Sequence, residues 1–291
     1  MERMKANLVY APDASVLKRG QMDLSIATDY VNDTGDSEPY LRRIAEAGFK
    51  NIQWIHHWKH DFIYTQSEIQ YIANLMKELR LSIYDIHGSA GTEKNWFSIV
   101  EYQRLAGVEI VKNRIEMCKA LGGSVVVMHI PILNSENLGQ WRQLKKSLNE
   151  LEKFCIKKSV KIAVENEPFD DFIGIKELFS KYGPEFIGLC YDSGHGNIGG
   201  HGLKNLDSVN DRLISLHLND NDGLEDQHKP IFTGNVNWEE LSRIIAKSSY
   251  KKFLTFEISM KFADTMNEDI FLGSAYRNGL KLLDMVREGQ T

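Results

Sequence analysis

Eight short runs rich in apolar and β-branched residues recur along the 291-residue chain, and longer amphipathic stretches separate them. The runs span residues 22–27, 51–55, 82–86, 124–129, 161–165, 186–192, 213–218 and 253–258. Two of them, SVVVMH at 124–129 and FIGLCYD at 186–192, are nearly continuous in apolar residues, which is typical of strands buried on both faces. The alternation therefore predicts a parallel sheet whose strands are joined by helices.

The stretches between the runs carry helical signals. In the segment 66–80, five apolar side chains fall on one face at helical spacing, namely Ile69, Ile72, Leu75, Met76 and Leu79. The segment 101–123 ends in two glycines, which suit a helix C-cap. The segment 237–248 begins with Asn237 and has Glu240 three residues later, as in a capping box. We therefore predict a helix in each of these stretches.

The alternation has no break in composition and no Pro/Gly-rich linker. It predicts a single (β/α)8 barrel domain of the α/β class over residues 21–291. Residues 1–20 are poorly patterned, and we predict an N-terminal extension there. The alternative is a doubly wound open sheet, but that fold would place a glycine-rich phosphate loop after an early strand. The chain has no GxGxxG motif there, so the barrel is favoured.

The charge balance limits the classes of partner. The net charge is -5, so the chain lacks the overall basic footprint of a nucleic-acid-binding protein. The three cysteines, Cys118, Cys155 and Cys190, form no CxxC pair, which indicates free thiols in a reducing compartment. The chain has neither a signal-peptide pattern nor an apolar run near the roughly 18 residues of a membrane span. We therefore predict a cytoplasmic protein without a membrane or nucleic-acid partner.

Side chains that commonly bind metals follow the last six predicted strands. They are His87, His129, Glu165, Asp192, His195, His217 and Glu257, and the loop after strand seven adds Asp226 and His228. Because the carboxyl ends of all strands in a parallel barrel lie on one face, these residues should converge. Carboxylates mixed with imidazoles suit Zn, Mn, Fe or Co. The absence of cysteine from this set of residues argues against a structural zinc site. The pattern predicts a divalent-metal site at this face.

Several other polar and aromatic residues have a simpler interpretation. A lone histidine at a strand end is more often a hydrogen-bonded structural residue than a ligand. We interpret His56, His57 and His60 as a polar loop over the barrel rim, and His201 as a loop residue. Four tryptophans could stack on a bound ligand, although packing at the rim explains each of them nearly as well. They are Trp54, Trp58, Trp96 and Trp238.

The motifs VEN, YDxGH, HLND, DxH and the final FE resemble, in combination, those of the xylose isomerase-like barrel superfamily. This superfamily includes sugar phosphate isomerases and epimerases and the endonuclease IV group. The resemblance to the ketose 3-epimerase branch implies one divalent ion, such as Mn, Zn, Co or Mg, held by Glu165, Asp192, His217 and Glu257. It also implies that the two glutamates are the catalytic acid and base, and that His195 contacts a carbohydrate substrate.

The endonuclease IV branch holds three zinc ions with nine residues, and this chain has a residue of the matching type at each of the nine positions. The additional positions, which could bind metal or substrate, are His87, His129, His195, Asp226 and His228. Two features disfavour the nuclease: the HGSAG segment lacks an aromatic wedge, and the chain is acidic, whereas phosphate binding rewards Lys and Arg.

We therefore expect a metal-dependent sugar isomerase or epimerase that acts on a small-molecule carbohydrate by proton transfer next to a carbonyl, through a metal-stabilised enediolate. The alternatives are a zinc phosphodiesterase acting on abasic DNA, a lyase or dehydratase using the same enolate chemistry, and a barrel that only binds a sugar or a partner. A homo-oligomer is possible.

Overall fold

Eight parallel strands form the sheet of the part of the chain that the structure describes, residues 22–89 and 91–289 of a computed structural model. They are β1 (Asp23–Ala27), β2 (Asn51–Trp54), β3 (Ser82–His87), β4 (Val125–His129), β5 (Lys161–Glu165), β6 (Ile187–Asp192), β7 (Leu213–His217) and β8 (Phe253–Phe256). Their bounds differ from the predicted runs by no more than one or two residues. The predicted extension over residues 1–20 lies outside the described residues.

The sheet runs in the order β7-β6-β5-β4-β3-β2-β1-β8 and closes on itself. Closure occurs just after β7, where the backbone N–H of Leu218 donates to the carbonyl of Thr255 at 2.8 Å. The carbonyl of Leu218 in turn accepts from the backbone N–H of Glu257 at 3.2 Å. These two bonds join the ends of β7 and β8 and place Glu257 beside the last residue of β7. The predicted fold class, a single (β/α)8 barrel, is confirmed.

Helices follow the strands and pack outside the barrel. They are α1 (Glu38–Glu46), α2 (Gln66–Leu79), α3 (Glu101–Ala120), α4 (Leu138–Lys158), α5 (Ile173–Lys181), α6 (Ser193–Asn197), α7 (Gly202–Asp207), α8 (Trp238–Lys247) and α9 (Glu268–Glu288). The main hydrophobic core includes residues from both the strands and these helices, and a smaller cluster of Val125, Val127, Ala163 and Cys190 is separate from it. No helix in the described ranges is long and apolar enough to span a membrane.

The predicted helix signals have visible physical roles. Asn237 caps α8, and its side chain accepts from the backbone N–H of Glu240. At the end of α3, Gly122 adopts a φ of +89°, which glycine reaches without a steric penalty. The next residue, Gly123, then donates to the carbonyl of Cys118 at 2.8 Å, the backward bond of a Schellman-type helix end. The three cysteines are buried and free, as predicted.

Candidate metal centre and active site

Four acidic and histidine side chains meet at the carboxyl ends of β5 to β8. Glu165 ends β5, Asp192 ends β6, His217 ends β7, and Glu257 follows β8. All four are buried, and one potential ligand atom from each lies within 4.8 Å of those of the other three. The structure thus brings together the four residues predicted to form the metal site.

His217 lies between the two glutamates. Its Nδ1 atom is 2.8 Å from Oε1 of Glu165 and 2.8 Å from Oε2 of Glu257. Asp192 is held separately: its Oδ2 accepts from the side-chain amide of Asn219 at 2.8 Å, and its Oδ1 accepts from the backbone N–H of His195 at 2.6 Å. These bonds orient three carboxylates toward one small volume.

The donor set of these four residues, which we name the central cluster, fits a divalent cation. Unit charges of like sign about 4 Å apart repel by roughly 4 kcal/mol at an effective dielectric constant near 20, so three buried carboxylates need a cation among them. Burial raises the pKa of Asp192 to about 6, an effect that His195 opposes and Glu165 strengthens. In addition, Oε2 of Glu165 is buried without a hydrogen-bond partner, which leaves a lone pair available to an ion.

Without an ion, His217 supplies the positive charge. Burial alone would lower its pKa, but contacts with Cys190, Glu165 and Glu257 raise the pKa well above the usual value. The charged imidazole in turn outweighs burial at Glu257 and lowers the pKa of that carboxyl to about 2. In the ion-free site, the protonated His217 therefore supplies positive charge that a bound metal ion would otherwise supply.

Two further groups of side chains flank the central cluster. On one side, Nε2 of His87 and Nε2 of His129 each lie 3.6 Å from Oε2 of Glu165. On the other side, Oδ2 of Asp226 lies 3.3 Å from Nε2 of His195 and 3.3 Å from Nε2 of His228. All nine residues singled out in the sequence thus lie in three adjacent groups.

A cavity of about 340 Å³ opens over the central cluster. This volume is near the lower end of the roughly 300–1,000 Å³ typical of small-molecule sites. Glu165, Glu257 and His195 line it, together with residues of the loop after β1 and Trp58 of the loop after β2. The site can therefore accept a small polar molecule directly above the predicted metal position.

Sequence reasoning missed several residues of this site. Asp29, just after β1, lines the cavity, and burial together with the nearby charge of Glu257 raises its pKa to about 7. Glu167, two residues after Glu165, has its Oε1 atom 2.5 Å from Nδ1 of His129. The strand-end rule could have found Asp29, because it follows β1 as closely as the other site residues follow their strands.

Of the four tryptophans considered in the sequence, one lines the cavity and three lie in the core. The ring of Trp58 stacks on His129 with a centroid distance of 5.2 Å and lines the cavity. The other three tryptophans, at positions 54, 96 and 238, are buried in the core. His56 is buried beside the hydroxyl of Thr28. None of His56, His57 and His60 lines this cavity, although Trp58 and Lys59 of the same loop do.

The fold and this cluster define a (β/α)8 barrel protein with a candidate metal centre at the carboxyl ends of its strands. The model of the xylose isomerase-like TIM barrel family matches residues 41–278. The chain belongs to this family.

Two relatives and two solved structures illustrate the similarity. The uncharacterized protein y4fM of Sinorhizobium fredii is 32% identical over 276 residues, covering 84% of this chain and 88% of that protein. An uncharacterized protein of Methanocaldococcus jannaschii is 26% identical over 230 residues, covering 75% of this chain and 77% of that protein. A D-tagatose 3-epimerase-like protein superposes with a TM-score of 0.75 at 20% identity, over 93% of this chain and 100% of that one.

A second solved structure, D-allulose 3-epimerase from Methylomonas sp. in complex with D-allulose, has a TM-score of 0.71 at 15% identity. The match covers 90% of this chain and 97% of that one. At these identities the two structures establish a shared fold.

Proposed function

We propose that this protein is a divalent-metal-dependent isomerase or epimerase that acts on a sugar or sugar derivative by moving a proton on a carbon next to a carbonyl. The observation that carries the proposal is the placement of Glu165 and Glu257 on either side of His217, each 2.8 Å from Nδ1. Both carboxylates also line the cavity in which a small ligand would lie.

The central cluster of Glu165, Asp192, His217 and Glu257 would hold the ion. When bound, a divalent cation supplies Lewis acidity that stabilises negative charge on a carbonyl oxygen. His217 must then present the lone pair of Nδ1, so its proton resides on Nε2. That nitrogen lies 2.7 Å from the side-chain nitrogen of Gln53. Turning this amide by half a turn would let its Oε1 accept from Nε2–H and hold the imidazole ring in this orientation.

The two glutamates would carry the proton. A carboxylate within hydrogen-bond reach of an acidic C–H can act as a general base, and the protonated acid can return the proton to the same carbon or its neighbour. Glu165 ends β5 and Glu257 follows β8, so the two carboxylates come from strands on either side of β7, and they would address opposite faces of a substrate carbon. Epimerisation requires both faces, whereas isomerisation requires one.

Other cavity residues would position the substrate. His195 is held by a 2.8 Å contact between its Nδ1 and the backbone carbonyl of Asn166, so its Nε2 edge is turned toward Asp226 and the cavity. Trp58, which lines the cavity, would contact the apolar side of a sugar. The names of similarly folded proteins, a D-tagatose 3-epimerase-like protein and an L-ribulose 3-epimerase, support a small carbohydrate partner.

A second candidate function is a phosphodiesterase of the endonuclease IV type. The flanking groups around His87 and Asp226 favour it, because together with the central cluster they could hold additional ions. The small cavity disfavours it, since the volume suits a single sugar better than a DNA strand. A lyase or dehydratase using the same proton abstraction would employ the same two glutamates.

Proton exchange with solvent distinguishes these functions. The protein with Mn²⁺ is incubated with free and derivatised ketoses in deuterated water, and we expect deuterium on the carbon beside the carbonyl. A phosphodiesterase has no such step and would instead nick DNA at abasic sites. Abasic-site cleavage that is lost in Glu257→Gln, together with no deuterium exchange in any sugar, would contradict the isomerase proposal. A net loss of water from the sugar would indicate the lyase.

A further inference from the structure

A second cavity, of about 360 Å³, lies beside the cavity lined by Glu165 and Glu257, which we name the catalytic cavity. It is formed by the segment after β5, residues 166–172, and by the segment from His195 to Asn205 after β6. Both segments follow the carboxyl ends of their strands, so this cavity opens on the same face of the barrel as the central cluster. We name it the lateral cavity.

The lateral cavity shares a wall with the catalytic cavity. His195 lines both, and its Nδ1 contacts the backbone carbonyl of Asn166, the residue that directly follows Glu165. A group seated in the lateral cavity would therefore lie one side chain away from a sugar held above Glu165. The two cavities have similar volumes, so each is large enough for a ring of similar size.

Phe169 presents an exposed aromatic ring to this cavity. The residue is 72% exposed, so its ring is accessible to a ligand in this cavity. Its backbone has a φ of +62°, an uncommon conformation for a residue with a Cβ. The ring packs against Gly199, where an added Cβ would lie only 3.1 Å from Cδ1 of Phe169. The ring thus borders Gly199 while most of its surface stays accessible.

Polar groups of both signs surround the ring. Glu167 and Asp171 can accept hydrogen bonds from hydroxyl groups, while His201 and Lys204 can donate them. No arginine lines this cavity within the described ranges, and arginine is the side chain best suited to bidentate phosphate binding. An aromatic face bordered by mixed donors and acceptors suits an uncharged, polyhydroxylated ring.

We propose that the lateral cavity is a subsite for an uncharged sugar ring joined to the ring that reacts, so that the substrate is a glycoside or disaccharide-type derivative. This inference rests on the proposed function for the reacting ring. Phe169 is the stacking platform of the subsite, and it acts on substrate binding rather than on proton transfer.

The test compares one-ring and two-ring ketoses in the deuterium-exchange assay with Mn²⁺. The one-ring probes are D-tagatose, L-ribulose and D-allulose, and the two-ring probes are lactulose and isomaltulose. The variant is Phe169→Asn, because asparagine tolerates the left-handed backbone. We expect a KM for two-ring substrates that rises about three- to tenfold, the range of one aromatic contact, with kcat unchanged. Phe169→Trp should restore the KM.

Tyr102→Ala is the matched control, since Tyr102 is a 73% exposed aromatic residue on α3, away from both cavities. Titration calorimetry of the same sugars separates this inference from the proposed function. Two-ring binding that weakens in Phe169→Asn without any exchange would support the subsite and reject the isomerase. Exchange of one-ring sugars alone, with no two-ring binding, would overturn the subsite. An equal effect of Phe169→Asn on both substrate classes would overturn it as well.

Discussion

The side-chain nitrogen of Gln53 lies 2.7 Å from Nε2 of His217, and both residues are fully buried. The imidazole can bind a metal through Nδ1 only when Nε2 carries the proton, and that proton then needs an acceptor. Oε1 of Gln53 is buried without a partner. Both the charged imidazole and the metal-binding imidazole carry a proton on Nε2, so in either state the amide would be turned by half a turn, with Oε1 of Gln53 accepting from His217.

We predict that Gln53→Leu weakens divalent-metal binding by about 10- to 100-fold, the usual effect of losing a hydrogen bond to a ligating histidine. Gln53→Glu keeps an acceptor at this position and should bind metal more tightly than Gln53→Leu. Competition with a chromophoric chelator for Zn²⁺ measures the affinity. Gln143→Leu, a largely buried glutamine on α4, is the control. Equal affinity in wild type and Gln53→Leu would show that Gln53 does not orient His217.

Asp192 provides the most direct test of the central cluster. It is fully buried and its two oxygens are oriented by Asn219 and His195, so Asp192→Asn removes a ligand charge while nearly preserving shape. We predict a lower metal content under limiting metal, measured by elemental analysis. Equal metal content in both proteins would remove Asp192 from the site.

The paired glutamates should be required for turnover. We predict that Glu165→Gln and Glu257→Gln each reduce kcat by at least about 100-fold, the low end of what a general acid or base contributes. Because each change also removes a ligand charge, the variants must be compared at equal metal occupancy. A metal-loaded Gln variant that works at the wild-type rate would exclude that glutamate from proton transfer.

Metal binding should strengthen as the pH rises. The ion-free site holds a proton on His217, whose pKa lies well above the usual value, and Asp192 has a pKa raised to about 6. A metal must displace the His217 proton and needs Asp192 ionised, so binding releases protons and is favoured by raising the pH. Calorimetry in buffers of different ionisation enthalpy should detect this release. Affinity that is constant between about pH 5 and 8 would contradict the assignment.

The two groups that flank the central cluster, around His87 and Asp226, should show only partial metal occupancy. In a sugar isomerase, His195 would contact substrate, and the His87 and Asp226 groups would add at most weakly occupied sites. Anomalous scattering from crystals grown with excess Zn²⁺ would count the ions at this face. Three fully occupied zinc ions would contradict this prediction and favour the phosphodiesterase.

The sequence predicted the barrel and the nine candidate site residues because both predictions depend on local patterns. Buried parallel strands must be apolar along their whole length, so runs such as 124–129 are visible without a structure. A polar residue at the end of such a run must lie at the carboxyl rim of the barrel. This rule located Glu165, Asp192 and His217, and applied to β1 it would also have located Asp29.

What the sequence by itself determined is therefore the fold class and the identity of the candidate ligands. The tertiary structure alone decided which of them share a volume, because barrel closure through Leu218 brings Glu257 next to His217. It also decided that Trp58 faces the cavity while Trp54 lies in the core, and that Gln53 supports His217 across 164 positions of sequence. These relationships depend on which side chains point into the barrel at the same height. That geometry is set by strand register, which no local pattern records.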